Sequence, residues 1–237
     1  MNFSYHDPKG GALPVRDIKA IVDASYDAPE TLLGRYKRDD AISKHKNGKL
    51  KKTLVYFNPD DATDNLITFQ GTTGPIYGKD WVVNNGLYGI SGDVGYKRTD
   101  RYDEGVKAYD EAKKKYGAHN IRAVGHSQAG HIAQEVAKDA KEIFTYNKAD
   151  NPLSSNKQGP NQYDIRSEHD PVSALNPLRV QNDRVIIIPK PKYTQKLLHR
   201  NRIINKFKNY AEYYGGEHSS APLERLDQSM MIGNQLT

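Results

Sequence analysis

The chain's apolar residues recur at two alternating spacings. Ile18, Ile21, Val22 and Ser25 sit at helical intervals, so residues 15–26 are expected to form a helix with one buried face. Residues 44–52 hold five lysines around Asn47-Gly48 and read as an exposed turn leading into the apolar run 54–57. Residues 65–72, NLITFQGT, read as a short buried strand ending at a glycine, and residues 101–116 space Tyr102, Val106, Tyr109 and Ala112 along one helical face. A third strand over 121–124 runs straight into GHSQAG. Beyond it, Ala129, Ile132, Ala133, Val136, Ala137, Ala140, Ile143 and Phe144 mark one long amphipathic helix. Two further strands are expected at 162–167 and 184–188. Such alternation predicts an α/β protein: a mostly parallel central sheet covered by helices, with functional loops at the carboxyl ends of the strands. There is no repeat and no low-complexity tract, and the Pro/Gly/Ser/Asn-rich stretch 150–162 reads as a loop, so residues 1–237 are expected to form a single domain.

Composition narrows the chemistry. A chain of 237 residues can bury a sizeable core without metal or disulfide staples, and the absence of cysteine excludes a disulfide framework, a cysteine zinc site and a thiol nucleophile. No apolar run approaches 18 residues and the N-terminus lacks an apolar leader, which predicts a soluble, untargeted chain. Net charge is +6 and the pI about 9.2. Much of that charge falls in residues 184–211, where Arg184, Lys190, Lys192, Lys196, Arg200, Arg202, Lys206 and Lys208 occur with no acidic residue. Leu197, Leu198, Ile204, Phe207 and Ala211 give that segment an inward side, so it fits a solvated helix face. The sharper expectation is attraction to anionic phospholipid, as peripheral contact with a membrane, or to nucleic acid packed in a particle. Nothing in the chain carries a signature of sequence-specific nucleic-acid binding.

The most informative motif is Gly125-His126-Ser127-Gln128-Ala129-Gly130, placed where an apolar strand ends and a helix begins. A serine nucleophile presented on a sharp strand-to-helix turn needs small residues two before and two after it, because the backbone doubles back there. Gly125 and Ala129 meet that need. The helix N-terminus after Ser127 would favour a developing oxyanion, with the Gln128 N–H as donor. A second donor must come from a loop at the end of a neighbouring strand, and Phe69-Gln70-Gly71-Thr72 is suited to supply it.

FQGT, followed by Asp80-Trp81 and then GHSQAG, resembles the class 3 (fungal-type triacylglycerol) lipases of the α/β-hydrolase fold, whose pattern is F-R-G-T/S, a downstream D/N-W, and GHSxGG. The resemblance runs from about Ile18, in IVDASYD, to His218. Gln70 stands where the family has arginine and Ala129 where it has glycine. The resemblance implies that Thr72 offers its amide and hydroxyl to the oxyanion. It also implies that segment 73–92 is a lid over the acyl site, with Ile76, Tyr77, Trp81, Val82, Val83 and Leu87 as its apolar residues, although five glycines interrupt it.

A nucleophilic serine needs a histidine base, and the histidine needs a carboxylate to fix its tautomer. In α/β-hydrolases these follow the serine in the order acid, then histidine. Asp170, in Asp-Pro-Val, resembles the D-P-V after the corresponding family strand, with Asp164 and Glu168 as rival acids. Chain order removes five of the eight histidines. His169 would point away from Asp170 and His199 lies in the basic stretch, which leaves His218 in GGEHSS, where the family also carries its histidine. The expected catalytic set is Ser127, Asp170 and His218, with Thr72 and Gln128 as oxyanion donors and with no metal or cofactor. The implied activity is hydrolysis of carboxylic esters, foremost lipid acyl esters, through an acyl-enzyme. Two other expectations remain open: hydrolysis of a soluble acyl ester or amide, and a lipase-fold structural or interaction protein that binds an anionic surface.

Overall fold

A computed structural model of the chain describes residues 13–26, 32–71, 97, 99–149, 158–168, 170, 184–189, 219–227 and 231–232. Helix α1 (Val15–Tyr26) buries Ile18, Ile21, Val22 and Ser25, the face its spacing predicts. An eight-stranded sheet lies beneath it in sequential order: β2 (Leu32–Leu33), β3 (Tyr36–Arg38), β4 (Thr53–Phe57), β5 (Asn65–Phe69), β6 (Ile121–His126), β7 (Glu142–Tyr146), β8 (Gln162–Ser167) and β9 (Val185–Ile188). The three pairings from β2 to β5 are antiparallel and the four from β5 to β9 are parallel. The protein is thus α/β, with a mostly parallel central sheet flanked by helices. A short separate ribbon pairs β1 (Leu13–Pro14) with β10 (Met231–Ile232).

Parallel neighbours need crossover connections; beyond the short helix α2 (Asp40–Ser43), helices α3 (Asp100–Tyr116) and α4 (Gln128–Val136) supply those from β5 to β6 and from β6 to β7. Both crossovers step the same way along the sheet, so both helices fall on one face. Ala108, Tyr109 and Ala112 of α3 and Ile132 and Ala133 of α4 pack there against Ile67, Phe69, Ala123 and Ile143. The opposite face packs α1 against Tyr56, Leu66, Val124, Phe144 and Ile165. The period of two along β6 explains the division: Ile121 and Ala123 face α3 and α4, whereas Val124 faces α1.

Two expectations are corrected. Residues 129–144 are not one helix: α4 ends at Val136, and Glu142–Tyr146 is the buried strand β7. Ile143 and Phe144 continue the helical spacing of α4, yet as strand neighbours they point to opposite faces and join opposite halves of the core. In α3 the buried line runs through Arg101, Gly105, Ala108, Tyr109 and Ala112, with Tyr102 and Val106 only half buried. A Cβ on Gly105 would come within 2.9 Å of Ile132, so small residues, rather than the larger apolar ones, set this helix contact. The antiparallel edge strands β2 and β3 are too short to leave a sequence pattern.

At the amino end of the parallel strands, Arg122 is fully buried. Its Nε donates to Glu142 Oε2 at 2.9 Å and its Nη1 donates to Asp64. Arg35 Nε (2.7 Å) and the Tyr36 hydroxyl (3.0 Å) also donate to Asp64. Two carboxylates therefore compensate a guanidinium that water does not reach.

Candidate active site

Strand β6 ends at His126, α4 begins at Gln128, and the single residue between them, Ser127, adopts φ 57° and ψ −131°. Such a backbone costs a non-glycine residue roughly 1–3 kcal/mol and persists only where its surroundings enforce it. Here the Ser127 N–H donates to Tyr146 O (3.0 Å), and the Ser127 carbonyl accepts from Gly130 (3.0 Å) and Ala149 (3.1 Å). The Ser127 hydroxyl makes no capping bond to α4. Gln128 occupies the first helical position, whose N–H has no preceding carbonyl of its own helix to bond. A Cβ on Gly125 would overlap the Ala129 carbonyl oxygen and lie 2.7 Å from its carbon. The turn therefore admits only glycine at position 125, as the motif predicts.

The end of β5 closes on this turn. Phe69 pairs with Gly125, and a Cβ on Gly71 would lie 2.8 Å from His126 O and 3.2 Å from the Ser127 Cβ. Gln70 and Gly71 are fixed in turn by Arg101, near the start of α3. Its Nη2 donates to both of their carbonyls, at 2.6 Å to Gly71 O. On the α1 side the Tyr26 hydroxyl meets His126 Nδ1 at 2.7 Å, and the His126 ring stacks on Tyr146 at 5.3 Å. Arg101, Tyr26 and Gly71 all brace the turn, and of the three only Gly71 stands in a motif that points to the site from sequence. The Gly in FQGT was the only available signal, because the other two reach the turn from helices distant in sequence.

The expected acid, Asp170, is fully buried just beyond the carboxyl end of β8, and its N–H donates to Ser167 O (3.2 Å). β8 is joined to the end of β7 by Asn147, whose N–H donates to Ile165 O (2.8 Å) and whose Oδ1 accepts from the Ser167 N–H (2.8 Å). The rivals sit differently. Asp164 lies within β8, where Thr145 Oγ1 (2.5 Å) and Gln162 Nε2 (2.7 Å) donate to it and Lys148 approaches to 3.7 Å. Glu168 is exposed, and its N–H donates to Ile188 O.

Thr72, His218, segment 73–92 with Ile76, Tyr77, Trp81, Val82, Val83 and Leu87, and residues 190–211 of the basic segment lie outside the described residues. The chain is described again from Ser219, whose carbonyl accepts from the Tyr146 hydroxyl at 2.6 Å, beside His126. A 3-10 turn follows (Ala221–Arg225), with Leu223 in the core beneath α1 and Arg225 Nη2 donating to Ser167 Oγ (3.1 Å). Of the basic segment, Arg184 leads into β9 and its Nη1 donates to Pro160 O.

Among the described residues, no three His, Asp or Glu side chains converge to hold a metal ion, and no helix is long and apolar enough to cross a membrane. A scan against protein-family models finds no match, and a search of curated protein sequences finds none.

Proposed function

We propose that the protein is an α/β-hydrolase that cleaves carboxylic esters, foremost lipid acyl esters, with Ser127 as nucleophile. The observation that carries this proposal is the Ser127 backbone: a non-glycine residue held at φ 57° between a buried strand and a helix N-terminus, with glycine required two residues before it. In a serine hydrolase a turn of this kind presents the nucleophile's hydroxyl at the carboxyl edge of the sheet, above the first amides of the helix. The substrate class rests on the motif resemblance to class 3 lipases.

In this mechanism Asp170 orients His218 and stabilises its imidazolium. The burial of Asp170 and the anchoring of Ser219 against Tyr146 support that assignment. His218 takes the Ser127 proton as the Ser127 oxygen bonds to the ester carbonyl carbon. The resulting oxyanion accepts hydrogen bonds from the Gln128 and Thr72 amides, and the alcohol leaves with the proton that His218 returns. Water, deprotonated by His218, then attacks the acyl-enzyme, releasing the acid and restoring Ser127. The test is hydrolysis of p-nitrophenyl esters of increasing chain length by the wild type and by Ser127→Ala. Turnover that disappears in the variant and rises with acyl length supports the proposal; equal rates in both proteins defeat it.

A further inference from the structure

The lysine turn before β4 has no part in this mechanism, yet it is firmly built. Residues 44–52 contain five lysines and no acid. His45 N–H donates to Lys49 O (2.8 Å), Gly48 N–H to His45 O (2.9 Å) and Lys51 N–H to Ser43 O (2.8 Å). Gly48, at φ 80°, permits the reversal, and Lys44 and Leu50 bridge its base. The tip, residues 45–49, is exposed. Lys44 shares Asp40 with Arg38 (2.7 and 2.6 Å), and the other nearby acid, Glu104, accepts from Thr53 N (2.9 Å) and lies 3.5 Å from His45 Nε2. Lys46, Lys49 and Lys51 have no ion pair among the described residues.

Topology fixes where this charge points. β4 runs antiparallel to β5, pairing Thr53 with Phe69, and Lys52 O accepts from Gln70 N at 2.9 Å. The turn that precedes Thr53 therefore stands at the same end of the sheet as Ser127. β4 and β6 are two strand spacings apart, roughly 10 Å. We propose that Lys46, Lys49 and Lys51 dock the protein on an anionic phospholipid surface, bringing the Ser127 end of the sheet to that surface. The inference rests on the assignment of Ser127 as the nucleophile for lipid esters. Lipid suits the turn better than nucleic acid does. A tip of lysine point charges gathers mobile headgroups, whereas residues 44–52 offer no arginine fork and no Phe, Tyr or Trp ring for a base to stack on, and their one imidazole, His45, lies 3.5 Å from Glu104.

The test is binding of the full chain to equimolar phosphatidylcholine/phosphatidylserine vesicles and to phosphatidylcholine vesicles, compared with the triple variant Lys46→Gln/Lys49→Gln/Lys51→Gln. A lysine near an anionic leaflet contributes about 1 kcal/mol, so three should change affinity for the mixed vesicles about 100-fold. Hydrolysis of a short, water-soluble p-nitrophenyl ester should stay at the wild-type rate. Equal binding of the two proteins to mixed vesicles overturns the proposal, as does wild-type binding that does not depend on phosphatidylserine. Tighter wild-type binding to a mixed-sequence nucleic-acid duplex at the same salt, lost in the variant, reassigns the turn and also overturns it. Vesicle binding is read without turnover. Failure of the wild type to cleave the soluble ester therefore counts against Ser127 alone.

Discussion

Gly71 and Ser127, on neighbouring strand ends, approach so closely that a methyl group on Gly71 would sit 3.2 Å from the Ser127 Cβ and 2.8 Å from the His126 carbonyl oxygen. It would also overlap the Tyr26 hydroxyl, which can swing away, but the His126 carbonyl is backbone and cannot. Gly71→Ala should therefore displace either the strand-to-helix turn at Ser127 or the strand end that leads to Thr72. A shift of about 1 Å in a catalytic constellation costs roughly 100-fold in rate. Steady-state kinetics should show that loss mainly in kcat, with the far-UV circular dichroism unchanged. Wild-type turnover in Gly71→Ala would separate this strand end from the chemistry.

The strand-to-helix turn at Ser127 was legible in the sequence because its requirements are local: an apolar strand, Gly125, Ser127 and Ala129 occur within a few residues. Helix α1 was legible for the same reason. β7 was hidden because Ile143 and Phe144 extend the spacing of Ala133, Val136 and Ala140, with no glycine or proline to mark the break. The bracing of the site was hidden for a different reason. Arg101 reaches the Gln70 and Gly71 carbonyls from another helix, and Tyr26 reaches His126 across one hundred residues. Contacts of this kind have no local pattern.

His218 should be the general base. His218→Ala is expected to lower ester turnover about as severely as Ser127→Ala, because members of a triad act as a unit and their losses do not add. His169→Ala and His199→Ala should retain most activity. Comparison of the four variants on one short p-nitrophenyl ester checks this, and near-wild-type turnover by folded His218→Ala would remove His218 from the mechanism.

Asp64→Asn should destabilise the fold without touching the chemistry. Arg122 is fully buried between Asp64 and Glu142, and removing one partner of a buried ion pair costs about 3–5 kcal/mol. Urea unfolding should show a lower midpoint and an unfolding free energy, extrapolated to water, reduced by that amount. Asp64 precedes β5 at the amino end of the parallel strands, the end opposite Ser127, so the protein that remains folded should hydrolyse ester at the wild-type rate.

Stability in acid should depend on Asp39. Burial raises its carboxyl, but hydrogen bonds from Lys115 (2.7 Å) and Tyr116 (2.7 Å) outweigh that effect and hold it below the ordinary value of 3.8. Burial and the Asp39 carboxylate push Tyr116 up to about 12, so it remains a donor across the neutral range. A lowered folded pKa stabilises the fold above about pH 4 and loses that contribution as the pH falls through the folded value. Asp39→Asn, which keeps the acceptor for the Ala41 N–H, should cost about 1–2 kcal/mol at pH 7. The difference from wild type should shrink toward zero near pH 2. A difference independent of pH would show that the charge on Asp39 contributes nothing.

The most direct measurement is fluorophosphonate labelling of the wild-type protein followed by peptide mapping of the modified residue. Ser127 should carry the phosphonyl group, other serines should remain unmodified, and Ser127→Ala should not label. Modification of a different serine with Ser127 untouched, or a folded wild-type protein that takes up no label, would contradict the assignment of Ser127 as the nucleophile.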